Sequence, residues 1–309
     1  MQRPIRFGHQ IAPTAPFDEL VVEAKAAESA GFDVITVPDH IGTSMASPLP
    51  LLAAIARETS TIRVGTFVLN NEMRNPVQLA WEAATLDRLS GGRFELGIGA
   101  GHTPHEFTAT GIDMAGAADR KARLADAVHI IRGLLDGETV SHDGEHYQVD
   151  GAAIEPAAQD RLPIMIGGNG QALLTDAGRQ ADIVGLNGLR RTLDDGHRHS
   201  VGWSIDRLER QIGWVHDGAA YHGEIPELNA LVQRIEITDD REAAATALAD
   251  QAEGLSVDEA LSSPYVAFGT HDEIADQFLT ARERWGLSYF VTRNIEAMTP
   301  IIERIRAED

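Results

Sequence analysis

The sequence predicts an α/β fold, a single (β/α)8 barrel with loop insertions, and three observations predict it. Eight short apolar or β-branched stretches alternate with segments of helical periodicity along the 309 residues. No Gly/Pro-rich linker or change of composition divides the chain, so residues 1–309 read as one domain; such barrels run to about 250 residues as a single unit. A doubly wound open sheet would carry a glycine fingerprint after its first strand, and this chain has Gln10-Ile11-Ala12-Pro13 there.

Ile5 to Ile11 is the first strand, with Ile5, Phe7 and His9 on one face. Phe17 to Ala30 follows as a helix: Leu20, Val21, Ala24, Ala27 and Glu28 keep a 3.6-residue period, and Gly31 stops it. Phe32 to Val37, rich in β-branched residues, is the second strand and ends in Pro38-Asp39-His40. Leu49 to Thr59 is helical, and Ile62 to Leu69 is a third strand closing on Asn70-Asn71. Pro76 to Leu89 is a helix with its proline in the first turn, where a missing N–H does no harm. Gly91-Gly92 turns the backbone into a fourth strand, where Phe94, Leu96 and Ile98 alternate with Glu95 and Gly97. That strand opens into Gly99-Ala100-Gly101, where missing side chains let another group approach the backbone.

A helix from about Asp119 to Leu135 comes next, then a small hairpin around Asp143-Gly144. The fifth strand, Arg161 to Ile166, ends in Gly167-Gly168-Asn169-Gly170. A helix over Gln171 to Gln180 leads to the sixth strand, Ala181 to Leu186, which ends in Asn187-Gly188. The stretch 189–231 is the least regular, polar at first and helical near Ser204 to Ala219. Leu231 to Thr238 is expected as the seventh strand, Arg241 to Glu253 and Asp272 to Trp285 as helices. Ser288 to Thr292 is the eighth strand and Glu296 to Arg306 the last helix. The expected excursions from the barrel lie at about 102–118, 137–162 and 189–231.

Composition removes several function classes. With 26 basic and 47 acidic residues the formal charge is −21, which repels nucleic acid and anionic membranes, so neither is expected as a partner. The absence of cysteine excludes disulfides, thiolate metal sites and a Cys nucleophile. No apolar run approaches the roughly 18 residues of a membrane span. Met1-Gln2-Arg3-Pro4-Ile5-Arg6 lacks the apolar stretch of a signal peptide, so a cytoplasmic location is expected. There is no GxSxG elbow, HExxH or Walker loop.

Active sites of such barrels form at the C-terminal ends of the strands. Those ends supply Asp39-His40, Asn70-Asn71, Gly99 to Glu106, Gly167 to Gly170, Asn187-Gly188 and Arg293-Asn294. Backbone N–H groups of Gly167 to Gly170 at a helix start suit a phosphate, the alternative being a glycine-rich turn. His40 can pass a proton near neutral pH, or else satisfy loop carbonyls. His102, His105 and Glu106 could suggest zinc, but Thr103-Pro104 keeps the histidines off one helical face. The pairs His142/His146 and His197/His199 lie on surface-like excursions and are poor metal candidates. Trp81, Trp203, Trp214 and Trp285 fall in helical patterns and read as packing residues.

Several blocks resemble the luciferase-like monooxygenase superfamily: Val37-Pro38-Asp39-His40, Asn75-Pro76, the run from Ala83 to Arg93, and Leu96 to Gly101. Val140 to Tyr147, Pro163 to Gly168 and Gly286-Leu287-Ser288-Tyr289 agree with it. Within the superfamily the chain looks most like the branch that uses the deazaflavin coenzyme F420. The resemblance implies a barrel whose mouth takes the ring, with a small organic molecule as substrate and a homodimer as the default assembly. It implies that Asp39 contacts the coenzyme, that a non-proline cis peptide lies at Thr66-Phe67, and that Gly167 to Gly170 receive the coenzyme phosphate. His40 matches a histidine that assists hydride transfer in the sugar-phosphate dehydrogenases of this branch.

Three departures argue against a sugar phosphate: Ser44 where those enzymes carry tryptophan, His102 where they carry glutamate, and Leu189 where they carry a phosphate-binding lysine. Glu106 could replace the missing acid. The candidate catalytic residues are therefore His40 and Glu106. Asp39, Thr66, Phe67, Asn70, Gly99, Gly101, His102, Gly167, Gly168, Asn169, Gly170 and Asn187 are the candidate coenzyme contacts, and no metal is expected. Arg190, Arg191 and Arg198 are expected either to meet the anionic F420 tail or to pair with Asp194 and Asp195. Two further readings stay open: an FMN-dependent monooxygenase served by a separate reductase, and a non-catalytic flavin-binding barrel.

Overall fold

A computed structural model of the chain describes residues 2–192, 199–221, 223–252 and 254–308, with the backbone alone at 190–192 and 199. Its central sheet contains β1 (Arg6–Gln10), β2 (Val34–Val37), β3 (Arg63–Thr66), β4 (Phe94–Gly99), β5 (Ile164–Gly167), β6 (Ile183–Leu186), β7 (Glu227–Leu231) and β8 (Leu287–Thr292). These strands run in the order β3-β2-β1-β8-β7-β6-β5-β4, all parallel, and pairing of β3 with β4 closes the ring. The expected (β/α)8 barrel is the fold. The helices are α1 (Phe17–Ser29), α2 (Pro48–Glu58), α3 (Pro76–Ser90), α4 (Pro104–Thr110), α5 (Ala117–Leu135) and α6 (Gln171–Gln180). In the second half come α7 (Ile205–Ala219), α8 (Arg241–Ala249), α9 (Val257–Ser262), α10 (His271–Trp285) and α11 (Ile295–Glu308).

Side chains alternate across each strand, so one set faces the helices and the other the barrel axis. On β1, Phe7 points outward onto Phe278 of α10, ring centroids 5.7 Å apart, and His9 reaches Glu23 of α1. Inside the barrel, Val34, Met165, Ile183, Leu231, Tyr289 and Val291 form an apolar plug. Beneath it Arg6 bridges Glu95 at 2.7 Å and Glu227, while Arg63 also meets Glu95 at 2.6 Å. Burial alone would raise the Glu95 pKa, but the Arg6 and Arg63 guanidiniums outweigh it and hold the carboxyl below its ordinary value. An ionic floor under an apolar plug leaves the C-terminal mouth as the place for chemistry.

The third strand differs from expectation. Val64 and Gly65 pair with Phe94 and Glu95, the chain then leaves the ladder at Phe67-Val68, and Leu69–Asn70 pairs again with Ile98 and Gly99. The cis peptide bond lies at Phe67-Val68, not at Thr66-Phe67. Thr66 stays in the ladder because its hydroxyl donates to Gly97 O and accepts from Gly97 N, both at 2.8 Å, so the irregularity falls one bond later.

The seventh strand also differs. Glu227–Leu231 enters the barrel, whereas Arg234–Ile237, inside the expected Leu231 to Thr238, pairs with Val266–Gly269 in a separate parallel ribbon. Leu228 to Leu231 are buried and most of 234–237 is exposed, so burial overrode the higher β-propensity of the second segment. A helix, α4, occupies what reads in sequence as loop, and Leu189–Thr192 pairs with His199–Val201 in a hairpin within the polar stretch. The helix expected from Arg241 to Glu253 ends at Ala249, and Glu253 lies outside the described residues. Trp203 precedes α7 and is buried, as is Trp285, but Trp81 stands 60% exposed on α3 and is not a core residue.

Candidate active site

The mouth holds a cavity of ≈ 610 Å³ formed by strand ends and by the loops over them. Asp39, His40, Phe67, Asn70, Gly101, His102, Glu106 and Asn187 line it, which brings together eight of the residues expected from sequence. Both candidate catalytic residues are among them.

Their positions trace back to local structure. β2 delivers Asp39 and His40 directly to the mouth. The Asp39 carboxylate accepts both Arg74 Nη atoms at 2.6 and 3.0 Å and the Asn70 N–H at 2.9 Å, and only 8% of that side chain is exposed. Its charge is therefore neutralised within the protein, and it fixes the strand end that carries Asn70. Asn70 Nδ2 in turn donates to Glu106 Oε2 at 3.2 Å. Gly101 makes room for this: it has φ +69°, and a Cβ there would come within 2.3 Å of Asn70 Oδ1. Arg120, from α5, donates to the carbonyls of Ala100, Gly101 and Ala115 and staples the glycine loop in place.

Glu106 lies in the first turn of α4 and is buried. Its Oε1 accepts from His40 Nδ1 at 2.7 Å. A carboxylate on Nδ1 selects the tautomer with the proton on that nitrogen, so the Nε2 lone pair is the basic one. It also stabilises the imidazolium that forms when Nε2 takes a proton. His40, a third exposed, thus forms with buried Glu106 an oriented hydrogen-bonded pair at the cavity wall, an arrangement with the chemistry to pass a proton. The Glu106 carboxylate meets His40 and Asn70, and His102 lines the same cavity. Among the described residues no group of three His, Asp or Glu could hold a metal ion.

Other expected contacts sit elsewhere. Thr66 is buried below the cavity with its hydroxyl committed to Gly97. Gly99 and Gly167 lie under Val68, where a Cβ would meet its methyls at 3.0 and 3.3 Å, so they shape the bulge rather than line the cavity. Gly168, Asn169 and Gly170 form a loop beside the mouth, held by Gln211, which donates to Asn169 O at 3.1 Å. Gly170 is the N-cap of α6 without a side-chain cap, which leaves N–H groups of the first turn for a ligand. Lys121 Nζ lies 3.0 Å from where a Gly170 Cβ would be, and among the described residues it has no acidic partner. Lys121, Arg74 and Gln10 were not singled out by sequence reasoning; helical and strand periodicity marks which face a residue occupies, not which distant loop it meets. The side chains of Arg190 and Arg191, and Arg198 altogether, lie outside the described residues.

A parallel barrel with an oriented His–Glu dyad and an uncapped glycine loop at its mouth has the architecture of a coenzyme-dependent barrel. The chain belongs to the luciferase-like monooxygenase family, whose model matches residues 3–249. It is 37% identical over 188 residues to the F420-dependent glucose-6-phosphate dehydrogenase of Nakamurella multipartita, covering 58% of this chain and 55% of that one. To the 5,10-methylenetetrahydromethanopterin reductase of Archaeoglobus fulgidus it is 34% identical over 185 residues, covering 59% and 53%. The chain thus spans about half the length of these curated relatives. Among solved structures, an F420-dependent secondary alcohol dehydrogenase in complex with an F420-acetone adduct superposes with a TM-score of 0.78 at 20% identity, over 98% of this chain and 100% of that one.

Proposed function

We propose that this protein is an F420-dependent oxidoreductase that moves a hydride between the deazaflavin and an organic substrate, with His40 handling the accompanying proton. The observation that carries this reading is the His40–Glu106 pair on the wall of a cavity beside the Phe67-Val68 bulge. The named activities of the relatives support the choice of coenzyme. The residues present fit such a group. Gly168, Asn169, Gly170, the free first turn of α6 and Lys121 offer N–H donors and a cation to a phosphate, and the cavity beside them has the volume of a small-molecule site.

When bound, the deazaflavin supplies the hydride acceptor or donor. The protein's part is to orient the substrate and to exclude water. For an alcohol substrate, His40 Nε2 would take the hydroxyl proton while the carbinol hydride would pass to the bound deazaflavin, leaving a carbonyl. The reverse direction returns both. Glu106 keeps the ring oriented throughout.

Paired fluorescence titrations with F420 and with FMN test the coenzyme: micromolar F420 binding with weak FMN binding is expected, and the reverse preference would move the protein to flavin and oxygen chemistry. His40→Ala is expected to reduce turnover by about 10²–10⁴ with little loss of coenzyme affinity. Unchanged turnover removes His40 from the reaction. Lys121→Ala is expected to weaken F420 more than a phosphate-free deazaflavin; equal effects on both would detach Lys121 from the phosphate. We carry a cytoplasmic homodimer as part of the proposal, with exposed Trp81 and Leu89 of α3 as surface for self-association, and sedimentation of Trp81→Glu beside the wild type decides it.

A further inference from the structure

Around the ring of strands, the residues assigned above to the coenzyme occupy one continuous arc. Asp39 follows β2, Phe67 to Asn70 follow β3, Gly99 to Gly101 close β4, Gly167 to Gly170 close β5 and Asn187 follows β6, five consecutive strands of the closed ring. The remaining arc is β1-β8-β7. Its middle strand, β8, ends at Thr292, and the next residue, Arg293, lines the cavity.

Arg293 is the one Lys or Arg among the described residues that line this cavity. Its Nε donates to Gln10 Oε1 at 2.7 Å, which fixes the plane of the guanidinium. Nη1 and Nη2 have no acceptor, and no carboxylate pairs with the group, among the described residues. The side chain is accessible through the mouth, yet surrounding protein removes enough hydration to lower its pKa. An arginine stays protonated under such conditions. A cation with two parallel donors, oriented by one neutral contact and left without a counter-charge, is built for a planar anion.

Resting on the coenzyme reading above, we infer that Arg293 binds the carboxylate of the substrate, so that the substrate is a small organic acid whose reacting carbon lies toward His40. β8 and β2 are separated by β1 alone, two interstrand spacings or about 10 Å at the strand ends. One small molecule spans the gap between guanidinium and imidazole. A single cation matches a monoanion better than a phosphate, in keeping with Leu189 where phosphate-binding relatives are expected to carry lysine. The site also gives a local attraction to an anionic substrate in a chain of charge −21.

The test uses the whole protein and Arg293→Gln. F420 is titrated first into both, by fluorescence. Absence of binding to the wild type overturns the coenzyme reading and this inference with it; loss of F420 binding in the variant alone assigns Arg293 to the coenzyme and overturns only this inference. With F420 bound equally, short-chain 2-hydroxy, 2-oxo and 2-enoic acids are compared with their methyl esters and with alkyl phosphates, reading thermal stabilisation and perturbation of bound-F420 fluorescence. The expected result is binding of acids over esters and over phosphates, weakened about tenfold or more by Arg293→Gln and partly restored by Arg293→Lys. Equal binding of acids and esters, a preference for phosphates, or acid binding that Arg293→Gln leaves intact overturns it.

Discussion

At the scale of single residues, carboxylates in this protein are defined by the donors around them. Glu106 accepts from His40 and Asn70 while buried, so an amide in its place keeps the shape and loses the charge that supports an imidazolium. Glu106→Gln is expected to lower turnover by at least about tenfold, a share of the range for general acid–base catalysis, with coenzyme affinity held. A titration showing equal losses in both would make Glu106 a packing residue. Glu28 illustrates the same principle far from the mouth. Its desolvation is outweighed by hydrogen bonds from the N–H groups of Ile62, Thr61 and Ser60 and from the Thr61 hydroxyl, which bring its pKa down from 4.5 to about 2. The folded-state value lies below the unfolded one, so the stabilisation is fully present above pH 4.5 and disappears as pH falls toward 2. Because Glu28 is partly exposed, solvent screens much of this gain: Glu28→Gln should lose about 0.5–1 kcal/mol at pH 7 in urea unfolding, and the gap to the wild type should narrow with acidification across that window. A gap independent of pH would show that the carboxylate charge is not what matters.

At the scale of elements, close backbone approaches decide where the barrel closes. A Cβ on Gly97 would sit 2.0 Å from Thr66 O, so the β3–β4 seam exists only with glycine there. Gly97→Ala is expected to cost about 3 kcal/mol or more, since backbone cannot yield as a side chain does. Gly213, in the middle of α7 with nothing within 4 Å of where a Cβ would lie, sets the contrast: Gly213→Ala should stabilise by about 0.5–1 kcal/mol. Equal effects on the melting temperature would remove the seam argument. The same physics explains what sequence could and could not show. The helix α10 was legible because Thr270 and Glu273 form a capping box and Gly286 takes φ +71° at its end. β7 was not, because Glu227, Asn229 and Ala230 have weak strand propensity and are placed by two neighbouring strands distant in sequence. His40 and Glu106 were legible as residue types at strand ends. Their pairing was not, since it depends on α4, a seven-residue helix inside an apparent loop.

At the scale of the whole molecule, closure and charge are the governing properties. We propose that residues 1–309 unfold as one unit. The ring is joined by the β1–β8 pair, where Phe7 faces Phe290, and by the β3–β4 seam, so neither half of the chain retains a complete sheet alone. Coincident fluorescence and circular-dichroism transitions are expected, and two separated transitions would divide the chain into domains. Charge acts on the approach of ligand. The formal charge of −21 opposes F420, whose tail carries a phosphate and several carboxylates, over distances set by the Debye length of about 10 Å at 0.1 M salt. The local cations at the mouth, Lys121 and Arg293, are two charges against that total. Long-range repulsion should then dominate the encounter: the association rate of F420 should rise with salt at low ionic strength, while that of a neutral, tailless deazaflavin stays flat. Stopped-flow fluorescence measures both rates. A fall in the F420 rate with added salt would mean that a basic patch at the mouth outweighs the charge of the whole chain.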